Sequence, residues 1–142
     1  DVITQAYVMN ILRNVHDELQ ITMVFLTHDV CIMAKIADRI AVMYAGQIVE
    51  LGSVYDVFYH PLHPYTRGLI QAAPSLVDDV SLRRAIPGSP PDLTDLPAGC
   101  RFAPRCSCCQ SGECEGSEQG ALVEVEPGHF TICCHWQGTG AQ

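Results

Sequence analysis

The sequence predicts an α/β unit followed by a small cysteine-rich tail, and three observations carry that prediction. Over the first half, helical spacing of apolar residues alternates with short, nearly continuous apolar runs. A stretch rich in proline and small polar residues then breaks the pattern. Seven of the eight cysteines fall between residues 100 and 142. Helix, strand, helix, strand in that order describes part of a parallel sheet whose strands are joined by crossover helices.

From Val2 to Leu19, the apolar positions Val2, Ala6, Met9, Leu12, Val15 and Leu19 recur every three or four residues, which predicts an amphipathic helix. Ile21 to Leu26 is a nearly continuous apolar run, expected of a parallel strand covered on both faces. It ends in the polar trio Thr27-His28-Asp29. Val30 to Ala37 returns to helical spacing, and Arg39 to Tyr44 reads as a second buried strand. Ala45-Gly46 predicts a tight turn into Gln47 to Glu50, and so a hairpin. Ser53-Val54-Tyr55-Asp56 has the spacing of a capping box for a short helix through Phe58. Pro61 and Pro64 interrupt the chain before a further helix from about Tyr65 to Ala73.

From Pro74 to Gly99 the texture changes, with Pro87, Pro90, Pro91 and Pro97 among glycine, serine and aspartate. This predicts an extended connector with little core of its own. The expected organisation is an α/β part over 1–74, a proline-rich linker over 75–99 and a cysteine-rich module over 100–142.

A net charge of −8, from 16 acidic against 8 basic side chains, supplies no field for a nucleic-acid backbone, so nucleic acid is excluded as a partner. No apolar run approaches the roughly 20 residues that span a bilayer, so membrane association has to run through a partner.

Two sets of residues carry chemistry. In open α/β sheets ligands bind beyond the carboxyl ends of strands, which puts His28 where a phosphate oxygen could accept its N–H. The plainer reading is that Thr27 and Asp29 cap a strand end and start a helix, with His28 a loop residue between them. His60 and His63, beside prolines, read as helix-start and packing residues. In the tail, the spacing Cys100-x5-Cys106-x7-Cys114-x19-Cys134 offers four thiolates on short loops, enough for a tetrahedral Zn²⁺ or a four-iron cluster. The stretch from Gln110 to Gly120 has almost no large apolar side chains, so something covalent or coordinative has to hold it. Cys108, Cys109 and Cys133 are further thiols, a disulfide framework or free thiols are the alternatives, and Cys31 reads as core. Arg101 and Arg105 stand between the first two thiols, where they could hydrogen-bond metal-bound sulfur.

Asp1-Val2-Ile3-Thr4-Gln5-Ala6, Phe25-Leu26-Thr27-His28-Asp29, Ile36-Ala37-Asp38-Arg39-Ile40-Ala41-Val42-Met43-Tyr44-Ala45-Gly46 and Ile48-Val49-Glu50 together resemble the C-terminal half of an ABC-transporter ATPase. His60-Pro61-Leu62-His63-Pro64-Tyr65-Thr66-Arg67-Gly68-Leu69 and Gly99-Cys100-Arg101-Phe102-Ala103-Pro104-Arg105-Cys106 narrow the likeness to the dipeptide/oligopeptide/nickel importer group.

That resemblance implies the C-terminal half of a P-loop NTPase sheet with a metal-cluster tail. It makes His28 the H-loop histidine that hydrogen-bonds the ATP γ-phosphate, and Asp1 the D-loop aspartate at the interface between two nucleotide-binding domains. The cofactors it implies are ATP with Mg²⁺ and a [4Fe–4S] cluster on Cys100, Cys106, Cys114 and Cys134, with Zn²⁺ as the alternative. The gap before Cys114 is one residue longer than the family spacing, so Cys108 and Cys109 are the alternatives for the third ligand. Implied partners are a second ABC ATPase subunit, membrane permease subunits and, indirectly, a solute-binding protein, at the cytoplasmic face of the inner membrane. No G-x-x-x-x-G-K-[ST] occurs in these residues, so the chain alone is expected neither to bind ATP tightly nor to hydrolyse it. The rival reading is a non-catalytic metal-binding or redox-sensing module.

Overall fold

The computed structural model describes residues 2–73, 85–109, 114 and 120–136. The chain divides into two compact units, Asp1–Ala37 and Asp38–Gln142.

In the first unit, helix α1 (Val2–Leu19) matches the expected amphipathic helix. Gln20 closes it with φ of 52° and an N–H donated to the His16 carbonyl at 2.8 Å. Helix α2 (Val30–Ile36) is capped by Asp29, whose Oδ1 accepts from the N–H groups of Cys31 at 3.0 Å and Ile32 at 3.2 Å. Between the helices the structure departs from expectation. Residues 21–27 form no strand, and Val24 and Leu26 are 86% and 94% exposed. An interior strand exists only by pairing on both edges and packing on both faces, and no described residue offers this segment a ladder. The apolar run is present; its partners are not among the described residues. Ile3, Tyr7 and Leu19 on α1 are likewise exposed.

The second unit is built on a four-stranded sheet in the order β1-β2-β4-β3. Strands β1 (Arg39–Tyr44) and β2 (Gln47–Ser53) form the expected hairpin, and β3 (Val123–Glu126) and β4 (His129–Thr131) form a second one. All three pairings are antiparallel, so the sheet is not the parallel one expected. The reason is local: Ala45 and Gly46 both take positive φ, 48° and 78°, the geometry of a two-residue turn whose twist matches paired antiparallel strands. β2 then pairs with β4, so the tail shares a sheet with the first hairpin.

Helix α3 (Val54–Tyr59) follows β2 directly. Ser53 Oγ accepts the Asp56 N–H at 3.1 Å, the N-cap read from the sequence, and its hydroxyl donates to Asp56 Oδ2 at 2.6 Å. Helix α4 (Pro64–Ala72) starts at Pro64, where a missing N–H costs nothing. The core joins Val42, Tyr44, Val49, Val57 and Phe102, with Ile40, Tyr65, Leu69, Ile86 and Ile132 packed on it. Residues 85–99 contain no helix, and Ile86 packs on the core; the rest of the segment read as a connector lies outside the described residues.

Candidate metal centre

Phe102 fixes the first two thiols. Its ring is 3% exposed and sits edge-on to Tyr44 at 5.2 Å and tilted to Tyr65 at 5.4 Å, so the loop between Cys100 and Cys106 is pinned into the core by an aromatic anchor. A short 3₁₀ turn, Ala103–Arg105, follows; the Ala103 N–H reaches the Cys100 carbonyl at 3.0 Å and the Cys106 N–H reaches the Ala103 carbonyl at 3.1 Å. The Cys100 N–H meets the Cys114 carbonyl at 3.4 Å, tying the third thiol to the first. The last pair is placed from β4, where Thr131 Oγ1 donates to the Val49 carbonyl and accepts the Cys133 N–H, both at 3.1 Å.

These constraints bring Cys100, Cys106, Cys114 and Cys134, the four expected ligands, around one small cavity. Cys133 and His135 also line it, as do His63 and Phe102. Its volume is about 20 Å³, room for roughly one water-sized atom. One thiolate-capable sulfur each from Cys114 and Cys134 and one ring nitrogen of His135 lie within 4.8 Å of one another. Cys108 and Cys109 do not line the cavity, although Cys109 is hydrogen-bonded to the Cys114 thiol. Gln110 to Gly120, apart from Cys114 and Gly120, lies outside the described residues.

Burial dominates the electrostatics. It pushes the Cys106 thiol up to about 11 and the Cys133 thiol up to about 12, with the neighbouring thiols adding to the effect. Cys100 and Cys114 move the same way, burial being the largest cause in each, followed for Cys114 by the hydrogen bond to Cys109. Crowded, buried thiols resist becoming thiolates together without a cation among them, so the donor set suits a metal whose charge removes that penalty. Arg101 and Arg105 do not supply it: Arg101 donates to the Ala45 carbonyl, and Arg105 to the carbonyls of Pro87 and Ile86. Their expected role at the sulfurs is replaced by tying the loop to the hairpin and the connector.

A buried carboxylate that the sequence did not single out holds the backbone of His63, one of the cavity's lining residues. Glu50 on β2 is fully buried. Its Oε1 accepts the Leu62 N–H at 2.9 Å and the His129 Nε2–H at 2.8 Å, while Oε2 accepts the His63 N–H at 2.9 Å. One side chain thus clamps the start of α4 and strand β4 to β2. His129 fits because Gly52 lies beneath it: a Cβ at position 52 would come within 2.7 Å of His129 Cδ2. His129 Nδ1 has no hydrogen-bond partner among the described residues. His63 is the N-cap of α4, its Nδ1 accepting the Tyr65 N–H at 3.1 Å, and burial lowers its pKa to about 4. The helix-start role read for His63 is the one it has. A glutamate in a strand of apolar inward positions, two residues before a glycine, was the available signal for the clamp; its partner 79 residues away left none.

His28 is exposed and sits at a bend immediately before the Asp29 cap, with the Asp29 N–H donated to Thr27 Oγ1 at 3.0 Å. Asp1 lies outside the described residues.

An α/β chain with a thiol-lined cavity beside a hairpin and a proline-started helix is the class of structure to be placed. Residues 49–114 match the family model of the oligopeptide/dipeptide transporter, C-terminal region. The match opens in β2, includes Glu50, His63 and Phe102, and closes on Cys114. Over 135 residues, 95% of its length, the chain is 47% identical to the dipeptide transport ATP-binding protein DppD of Caldanaerobacter subterraneus subsp. tengcongensis, covering 40% of that relative. It is 49% identical over 111 residues, 78% of the chain and 33% of the relative, to a protein of Brucella melitensis named for peptide import and ATP binding. A Brucella ovis protein named in the same way is 40% identical over 147 residues, 99% of the chain and 43% of the relative. The chain therefore spans well under half the length of these relatives.

Proposed function

We propose that the chain is part of the ATP-hydrolysing subunit of an ABC-type importer of dipeptides, oligopeptides or nickel. The observation that carries this reading is the 47% identity held over 95% of the chain to a dipeptide transport ATP-binding protein. In the whole subunit, residues 1–74 complete the nucleotide-binding domain, 75–99 connect, and 100–142 form the cysteine module. The exposed apolar run at Val24 and Leu26 supports it, because such a run needs further strands to cover it.

His28 then acts as the H-loop histidine. In phosphoryl transfer, catalysis is mostly positioning and charge stabilisation around the γ-phosphate, and a neutral imidazole can donate to a phosphate oxygen while holding the attacking water. The Asp29 cap fixes the backbone one residue on, which limits how far the His28 ring can wander. Asp1 lies at the D-loop, facing a second ATPase subunit. ATP and Mg²⁺ are held by residues other than these, so the chain alone neither binds ATP tightly nor hydrolyses it. The subunit works at the cytoplasmic face of the inner membrane against permease subunits, supplied indirectly by a solute-binding protein; among the described residues no helix is long and apolar enough to cross a membrane.

The cavity is the second part of the reading. Cys100, Cys106, Cys114 and Cys134 hold a [4Fe–4S] cluster, with thiolate donors as such clusters require, and loading it widens a cavity that now has room for about one atom. The second reading is a single Zn²⁺, favoured by the closeness of Cys114, Cys134 and His135, since zinc–sulfur bonds of about 2.3 Å put tetrahedral donors about 3.8 Å apart.

The test uses the full-length subunit with its permease. His28→Ala should retain ATP binding and lose ATP hydrolysis and peptide uptake together. Hydrolysis at the parent rate would remove His28 from the catalytic role. A full-length protein that binds no ATP would instead leave a metal-binding or redox-sensing module.

A further inference from the structure

His63 belongs both to the Glu50 clamp and to the thiol cavity. Its backbone N–H is held by Glu50 Oε2, and its ring, 1% exposed, packs against Phe102 with centroids 5.8 Å apart. The same residue lines the cavity beside Cys100, Cys106, Cys114, Cys133 and Cys134.

The hydrogen bonds decide where the ring proton sits. Nδ1 accepts the Tyr65 N–H, so it carries no proton, and a neutral imidazole must then hold its proton on Nε2. That puts the ring's donor on a buried residue that shares a cavity lining with five cysteines. Capping α4 does not explain a histidine, because the cap needs only an acceptor, and Asn, Asp, Ser and Thr serve best there. The imidazole brings what those residues lack: a second polar atom about two bonds further out, and it is a donor. Sulfur bound to a metal is an acceptor, and donors to it stabilise the more negative state of the centre.

We propose that His63 Nε2–H donates a hydrogen bond to a metal-bound cysteine sulfur, making His63 a positioning residue that tunes the cysteine centre. The proposal rests on the metal reading above. It joins the His60-Pro61-Leu62-His63-Pro64-Tyr65 segment to the cysteine tail: β2 sets Glu50, Glu50 sets the backbone of His63, and the Tyr65 N–H sets its tautomer.

Two variants separate the ring's two nitrogens. His63→Asn places an acceptor near the Nδ1 position and keeps the cap, but removes the outer donor. His63→Gln places an amide N–H near the Nε2 position. Full-length subunit is purified anaerobically, its iron and zinc measured, its secondary structure checked by circular dichroism, and its midpoint potential titrated. With iron content matching the parent, His63→Asn should lower the potential by an amount equal to about a tenfold shift in the reduction equilibrium, about 59 mV for one electron, and His63→Gln should recover much of it. If the parent carries zinc, the readout is zinc affinity and the sulfur-to-cobalt charge-transfer band of the cobalt form. There His63→Asn should lose about ten- to a hundredfold in affinity and shift the band. Loss of metal from the Asn variant alone, with Gln retaining it, also supports the proposal. An unchanged potential or band in a metal-loaded Asn variant overturns it, as does equal loss of metal from both folded variants, which would reduce His63 to packing. A parent protein free of metal sinks the metal reading itself.

Discussion

The Glu50 clamp yields a stability prediction whose size follows from its geometry. Glu50→Gln keeps the shape and replaces one acceptor oxygen with a donor. Oε1 accepts two N–H groups and Oε2 one, so the cheaper amide orientation turns its NH₂ toward the His63 N–H and makes one buried donor–donor contact, stranding the His63 N–H against the amide's own N–H. A stranded buried donor costs about 1–3 kcal/mol, and the two surviving bonds lose their charge assistance at about 1 kcal/mol each. The expected loss is about 3–5 kcal/mol, the range found for removing one partner of a buried ion pair. Urea unfolding followed by circular dichroism reads it: with a slope of about 2 kcal/mol/M, the midpoint should fall by about 1.5–2.5 M. Glu126→Gln on exposed β3 is the control and should stay within about 0.5 kcal/mol. Hydrogen exchange at Ile132, whose N–H donates to the Val49 carbonyl at 3.1 Å, should speed up in Glu50→Gln as β4 loosens. A loss below about 1 kcal/mol, with Ile132 protection unchanged, would refute the clamp.

Gly52→Ala puts a Cβ 2.7 Å from His129 Cδ2 and should cost about 1–3 kcal/mol by urea unfolding, with His129→Ala relieving part of the added cost. His63 gives the pH limb. Its folded pKa is lowered from 6.5 to about 4, so its share of stability is complete above 6.5 and is lost as pH falls toward 4. That share is about 3 kcal/mol, and unfolding of His63→Asn between those pH values should show a correspondingly shallower decline. Because burial raises the Cys100, Cys106 and Cys114 thiols, that of Cys106 to about 11, metal loading should release protons and tighten as pH rises. Calorimetry in buffers of differing ionisation enthalpy measures that release; a buffer-independent heat would contradict it.

Local chemistry was legible in the sequence. The Ala45-Gly46 turn, the Ser53–Asp56 cap and the proline start of α4 depend on a few adjacent residues whose backbone preferences point one way. The run Ile21 to Leu26 misled because apolar content reports that a segment wants burial, not what will bury it. The parallel sheet is not seen among the described residues for a related reason, since strand direction is set by the partner, and β2 takes its partner from residues 129–131. The four thiols picked out by spacing do line one cavity, together with Cys133, because short loops limit where their sulfurs can go. Glu50 with His129 was invisible, because it depends on a long-range contact between residues that look ordinary alone.

The cysteine centre is tested most directly by anaerobic purification with elemental analysis and cysteine alkylation mapped by mass spectrometry. A coloured protein with about four iron and four acid-labile sulfide per chain, shielded at Cys100, Cys106, Cys114 and Cys134, is the predicted result. Colourless protein with one zinc would keep the cavity and change its metal. Metal-free protein in which all eight cysteines alkylate alike would contradict the centre outright.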